Sequence, residues 1–319
     1  MQITDAKLIV DEMAVAYGTV AVHGFAQVEA GARNVTTWGK FDGKGRSEYQ
    51  GNNVGPGTTG QAATPGCTVG SGSSFAGSHG GGGGATDTDG RCIYGSTYQP
   101  VTSGTSAWST SNGGAALKIT AGELTHEGTI DMDGEKGAYD FGGSAGGSAW
   151  VTAGTLRGTG GTIRANGGTK GDRYGAAGGG GGRIALYCTT SAYAGVNGAA
   201  HGWELPAMTT HGGQGSNNNN DGSCGTVYVD CGVVNNTLLL DGGSVSAPSQ
   251  DRPTYLRDTG MTSWAFDEVK LIGGTFLSAA TREFGTTVRI DRMIGEGSRW
   301  LDRKSAVEGK SVVRGGRGV

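Results

Sequence analysis

Leu117-Lys118-Ile119-Thr120-Ala121-Gly122-Glu123-Leu124 returns as Ala149-Trp150-Val151-Thr152-Ala153-Gly154-Thr155-Leu156, and Thr-Ala-Gly-x-Leu is common to both. The shared segment moves from Thr120 to Thr152, a step of 32. Downstream, Gly128-Thr129-Ile130-Asp131-Met132-Asp133-Gly134 matches Gly161-Thr162-Ile163-Arg164-Ala165-Asn166-Gly167 at a step of 33. Apolar positions coincide in the two copies: Ile119 with Val151, Leu124 with Leu156, Ile130 with Ile163. Alternation of apolar and polar residues marks strands that bury one face. A unit of this length closes no core alone and must stack on its neighbours. The pattern therefore predicts that Ile119 lies over Val151 in a dry interior shared by both copies.

The same alternation extends in both directions. Gly182-Arg183-Ile184-Ala185-Leu186-Tyr187 puts Ile184 and Leu186 on one face, and Lys7 to Val10 with Gly18 to Val22 reads as an early layer. Later, Leu238-Leu239-Leu240-Asp241-Gly242-Gly243 resembles Val269-Lys270-Leu271-Ile272-Gly273-Gly274. The Gly-Gly pairs are expected to supply the positive φ of tight corners. Long polar inserts separate the strands at about 40–114 and 167–182, with five-glycine runs at Gly80 to Gly84 and Gly178 to Gly182. They read as loops or irregular excursions, with packed extended polyglycine segments as one form and disorder over 40–114 as the alternative.

Composition sets the limits. Glycine supplies 66 of 319 residues and proline six, with no G-X-Y period, which excludes collagen. Each glycine inside a regular element costs roughly 0.5–1 kcal/mol relative to alanine, so an ordinary helical domain is excluded. The net charge of −3 leaves no nucleic-acid footprint, and no apolar run is long enough to span a membrane. The chain begins almost directly in a strand pattern without a secretion signal, and reads as a piece of a longer protein. Cys67, Cys92, Cys188, Cys224 and Cys231 form no CxxC pair, which disfavours zinc. Cys224 and Cys231 flank an extended strand and lie too far apart to bond to each other, but either can reach a neighbouring layer, for instance at Cys188. Free buried thiols are the alternative. From Asp302 the pattern stops, and 302–319 reads as a basic, non-native-looking tail resembling translated adapter sequence.

Tyr94-Gly95-Ser96-Thr97-Tyr98-Gln99-Pro100, Gly113-Gly114-Ala115-Ala116-Leu117-Lys118-Ile119, Gly146-Gly147-Ser148-Ala149-Trp150-Val151-Thr152-Ala153-Gly154-Thr155-Leu156, Gly179-Gly180-Gly181-Gly182-Arg183-Ile184-Ala185-Leu186-Tyr187 and Gly225-Thr226-Val227-Tyr228-Val229 follow in order. That succession resembles the glycine-rich parallel β-helix modules of very large adhesin-like surface proteins. It covers roughly residues 90 to 232 well and the flanking regions loosely. The resemblance implies secretion, repeated layers and a structural or adhesive role, and it brings no catalytic residues. The expected architecture is all-β: a right-handed parallel β-helix, or β-solenoid, with long glycine-rich inserts over 1–232 and further layers over 233–301. The expected location is extracellular or at the cell surface, with a surface polysaccharide or protein as partner.

Chemistry-bearing patterns are few. With glycine so frequent, GxGxxG arises by chance, and no Gly-Lys-Ser/Thr follows the glycine runs, so no nucleotide cofactor is expected. Asp87-Thr88-Asp89-Gly90 and Asp131-Met132-Asp133-Gly134 share D-x-D-G. Alternate strand residues project from one face, so Asp87 with Asp89 and Asp131 with Asp133 are calcium candidates. A solvated strand edge is nonetheless the favoured reading, since Asp131 and Asp133 align with Arg164 and Asn166. A carbohydrate-active enzyme, lyase or hydrolase, is the rival function, with Asp131, Asp133, Arg164, Asp172 and Arg173 as its candidate residues. The five histidines read as isolated surface residues. Trp150, at an outward register opposite Lys118, is the aromatic candidate for stacking on carbohydrate, with packing against the adjacent glycine insert as the favoured reading.

Overall fold

The computed structural model describes residues 1–15, 17–30, 34–49, 76–84, 92–107, 111–172, 176–194, 202–216, 220–243, 254–256, 261, 263–273, 275–278, 287–295, 299–301, 306–309 and 312–314. Among these the protein is all-β, without an α-helix. Seven short strands come first: β1 (Gln2–Thr4), β2 (Lys7–Ile9), β3 (Met13–Val15), β4 (Thr19–His23), β5 (Phe25–Glu29), β6 (Asn34–Thr37) and β7 (Lys40–Asp42). Past the first insert come β8 (Ala116–His126), β9 (Thr129–Asp131), β10 (Ser148–Gly158), β11 (Thr162–Arg164), β12 (Arg183–Tyr193), β13 (Ala207–Thr209) and β14 (Thr226–Cys231). The remainder is β15 (Val234–Asp241), β16 (Thr254–Tyr255), β17 (Ser263–Ile272), β18 (Phe276–Ser278), β19 (Thr287–Gly295), β20 (Arg299–Leu301), β21 (Ala306–Gly309) and β22 (Val312–Arg314).

The first sheet runs β1-β4-β7-β9-β11-β13 and the second β2-β5-β8-β10-β12-β14-β15-β17-β19-β21, while β16-β18-β20 form a third. Every pairing in the first and third sheets is parallel. From β7 to β14 the chain alternates between the first two sheets, so each strand pairs with one from the previous passage. The two copies of the repeat lie in direct register, Ile119 against Val151, Leu124 against Leu156 and Ile130 against Ile163. One inner column reads Val28, Ile119, Val151, Leu186, Val229, and the facing one Val20, Phe41, Ile130, Ile163, Met208. All ten are buried in one continuous apolar core. At about 1.5–3 kcal/mol for each fully buried aliphatic side chain, these columns are a main stabilising element.

Among the described residues parallel order breaks at one place. Between β14 and β15, Gly232 takes φ 63° and the chain doubles back, pairing Cys231 with Val234 and Val227 with Leu239 in antiparallel sense. The core changes sides there. Leu239 still faces the first core, whereas Leu238 and Leu240 turn to the opposite face and meet Phe266, Val269, Leu271 and Val288 in a second cluster. Leu238 pairs with Val269 and Leu240 with Leu271, the register the sequence similarity predicts. Gly243 and Gly273 close these strands at φ 63° and 69°. At the far end, β21 and β22 of the basic tail both pair in parallel with β19.

The glycine runs behave differently from the corner glycines. Gly80 to Gly84 and Gly178 to Gly182 are buried and belong to no sheet. They lie against each other: Gly81 donates to the Gly181 carbonyl at 2.8 Å and Gly84 to that of Gly178 at 2.8 Å. Further bonds tie Gly180 to Gly77, Gly146 to Gly180, Gly213 to Gly179 and Gly222 to Gly213, at 2.7–3.0 Å. The result is a lattice of extended polyglycine segments joined backbone to backbone. Positive φ is not the reason for glycine here. A Cβ on Gly180 would sit 2.0 Å from the Gly81 carbonyl oxygen, and one on Gly213 would sit 1.9 Å from that of Gly168. Segments this close leave no room for a side chain, and their packing satisfies the buried amides.

Candidate functional site

Two outward faces gather the residues singled out in the sequence. The first lies on β4, β7, β9 and β11. Ala21, Asp42, Asp131, Arg164 and Thr209 stand in one register column across the first sheet. Asp131 holds its place between two cations, 2.9 Å from the Lys40 Nζ and 2.6 Å from an Arg164 guanidinium nitrogen. Its side chain is 1% exposed, so the expected solvated strand edge is not what forms. The stems of Lys40 and Arg164 reach across from the neighbouring strands and exclude water. Asp133 sits beside it and accepts a hydrogen bond from the Asn166 amide at 2.7 Å. Lys40 also contacts Asp42 at 2.8 Å, and Arg46 contacts Asp42 at 3.2 Å and His23 at 2.9 Å.

The two carboxylates titrate apart. Burial alone would raise the Asp131 carboxyl, but the Lys40 hydrogen bond and the Arg164 charge hold it below the usual carboxylate range. Burial, reinforced by the Asp131 charge, pushes Asp133 up to about 6. Burial and then Arg46 lower His23. The structure thus brings Asp131 and Asp133 together with Lys40, Arg164 and backbone amides. Among the described residues no group of three acidic, histidine or cysteine side chains converges as a metal cage. Asp87, Asp89 and Arg173 lie outside the described residues. Asp172 is exposed and pairs with Lys136 at 2.7 Å.

The second face is the outer side of the second sheet. Trp150 stands beside Lys118, whose Nζ lies 3.7 Å above the ring centroid. The ring is half-buried and packs on the second apolar cluster together with Tyr98 and Tyr187. Tyr98, Tyr228 and Phe266 continue the set, with Tyr98 edge-on to Tyr228 at 4.7 Å and stacked on Phe266 at 5.9 Å. Tyr98 arrives from the first insert, so this aromatic layer attaches the insert to the sheets. Trp150 has one ring face occupied by its own lysine.

Two histidines are not the surface residues expected. His126 is buried; its Nδ1 lies 2.6 Å from the Thr37 hydroxyl and its Nε2 3.1 Å from the Thr162 carbonyl, linking three passages of the chain. His79 is buried between the Gly146 carbonyl at 2.7 Å and the Thr102 hydroxyl at 2.8 Å. Burial lowers His126 to about 4 and His79 to about 3, so both are neutral at pH 7. Arg183, fully buried, donates to the Tyr94 carbonyl at 2.9 Å and to the Thr226 hydroxyl at 3.0 Å. His79 and Arg183 anchor the first insert from within, whereas His126 ties strands to one another.

Cys188 and Cys231, register partners on β12 and β14, form a disulfide, and Cys92 is disulfide-bonded as well. Cys224 remains a buried thiol, 3.3 Å from the Thr254 hydroxyl. Among the described residues no helix is long and apolar enough to cross a membrane. No protein-family model matches the chain, and no curated protein and no solved structure matches it.

Proposed function

We propose that the chain is a non-enzymatic structural or adhesive module of a larger extracellular surface protein, built as a right-handed parallel β-helix with glycine-rich inserts. The observation that carries this reading is the direct register of successive parallel strands, with Val28, Ile119, Val151, Leu186 and Val229 in one buried column. Each layer buries its apolar face on the next, and such stacks extend in one direction as spacers. The Cys188–Cys231 disulfide supports an oxidising compartment outside the cytosol. The sequence resemblance to adhesin-like modules points the same way.

The adhesive role is tested by coupling the protein to beads and measuring their retention on cells under flow. Retention above that of albumin-coated beads is expected, and equal retention counts against adhesion. The rival reading, a polysaccharide-cleaving enzyme, draws on the two carboxylates Asp131 and Asp133 standing beside Arg164 of the neighbouring strand, at 2.6 and 3.8 Å. Release of reducing ends from a polysaccharide panel, abolished by Asp133→Asn, would favour the enzyme over the module.

A further inference from the structure

The acceptor pattern for N-linked sugar, Asn-x-Ser/Thr with x other than proline, occurs at Asn34-Val35-Thr36 and Asn235-Asn236-Thr237. In a chain rich in serine and threonine the pattern arises by chance, so alone it carries nothing. The structure sets these two asparagines apart from the others. Among the described asparagines only Asn34 and Asn235 are exposed, whereas Asn112, Asn166, Asn220 and Asn236 are half-buried. The half-buried amides work inside the fold. Asn166 accepts from the His211 amide at 2.8 Å, and Asn236 accepts from the Tyr228 hydroxyl at 3.1 Å and donates to Asp267 at 3.0 Å. Among the described residues neither the Asn34 nor the Asn235 side chain has a hydrogen-bond partner. Asn34 opens β6 on the outward side, since Val35 beside it is buried in the first core. Asn235 borders an open groove of about 390 Å³ beside the bare side chain of Val233.

We propose that Asn34 and Asn235 carry N-linked glycans, a modification that rests on the extracellular reading above and adds a covalent feature to it. The donor is an oligosaccharide held on a lipid pyrophosphate. The asparagine Nδ2 attacks the anomeric carbon, and a C–N bond forms as the C–O bond to pyrophosphate breaks. One amide proton passes to a base of the transferase, and the lipid pyrophosphate leaves. The Cys188–Cys231 disulfide belongs to the same oxidising, secretory route. Transfer precedes folding, because both patterns end up on paired strands. Thr237 in particular becomes 3% exposed, with its hydroxyl donated to the Asn235 carbonyl at 2.8 Å. Once the chain has folded, the sugars extend into solvent from both asparagines without displacing a hydrogen bond or an apolar contact. Bulky, solubilising glycans belong at such surface positions. The sugar on Asn235 lies beside Val233, which is 95% exposed in the bare chain.

The test is site mapping of the full chain secreted from insect cells behind a cleavable leader. Peptide-N-glycosidase in heavy-oxygen water converts each glycosylated asparagine to a labelled aspartate, which peptide mass spectrometry locates. Label at Asn34 and Asn235, with the intact mass falling by two glycans, is the expected result. Asn34→Gln and Asn235→Gln should each remove one glycan, and the double variant both. These substitutions change exposed side chains without partners, so secretion and melting temperature are expected to match those of the enzyme-deglycosylated parent. Secreted protein with the Cys188–Cys231 disulfide formed and neither asparagine labelled overturns the proposal, while the extracellular reading stands. Label at one position alone overturns the proposal for the other. Retention inside the cell with Cys188 and Cys231 as free thiols overturns the extracellular reading instead.

Discussion

Gly180 sets the standard for what one methyl group does in the glycine lattice. Its missing Cβ would lie 2.0 Å from a backbone oxygen of Gly81, which has no rotamer to yield. Gly180→Ala is therefore expected to cost about 3 kcal/mol or more, or to prevent folding. Gly202→Ala meets nothing within 4 Å and suffers only from its φ of 74°, at roughly 1–2 kcal/mol. Urea denaturation of the two variants separates these cases; equal losses would mean that close packing is not why Gly180 is glycine. Asp133 makes a second residue-level prediction. Its carboxyl is raised to about 6 from an ordinary value of 3.8, so between these pH values the native state holds a proton that the unfolded chain has released. Stability from this group is present below the unfolded value and is lost as pH rises through about 6. Asp133→Asn keeps an acceptor for the Asn166 amide and should stabilise the protein at pH 8 by roughly 1–3 kcal/mol, with little effect at pH 4. Melting curves at the two pH values check the sign.

At the scale of strands, the disulfide between β12 and β14 closes a loop with a sequence separation of 43. Chain-entropy arguments assign such a cross-link about 4 kcal/mol, so the double variant Cys188→Ser, Cys231→Ser should lose up to that amount in chemical denaturation. Strand pairing was also the most legible part of the sequence. Thr-Ala-Gly-x-Leu and the period-two alternation fix which face of β8 and β10 is dry, and a one-residue slip would turn every aliphatic side chain outward. The contacts of the inserts were not legible. His79, inside the first insert, meets the Gly146 carbonyl across a sequence separation of 67, and nothing local distinguishes it from a solvated histidine. Glycine runs choose partners through backbone groups that all glycines share, so composition left a packed lattice and disorder both open and showed no pairing. Trp150 could be placed opposite Lys118, but not the closure of its ring by that lysine. The change of core side did leave a signal in Leu238-Leu239-Leu240, three consecutive apolar residues where a one-sided strand would alternate.

For the molecule as a whole, two apolar cores use opposite faces of one continuous sheet, and β14 carries both. Tyr228 and Ala185 point away from the first core and are covered by the second. A chain ending at 232 would uncover them and leave β14 as an open edge, a ready template for another chain. Residues 1–232 alone should therefore self-associate, whereas the full chain should not share that tendency; light scattering behind size-exclusion chromatography compares the two.

The glycine lattice also alters how solution spectra should be interpreted. Its segments contribute no helix and no pleated strand, so circular dichroism will count them as coil, and a glycine-rich linker would give much the same trace. Hydrogen–deuterium exchange distinguishes the two. Amides such as those of Gly81, Gly146, Gly180 and Gly213 are buried and bonded to neighbouring carbonyls, so they should exchange about as slowly as those of β10. A tract that is spectroscopically silent would then rank among the most rigid parts of the protein.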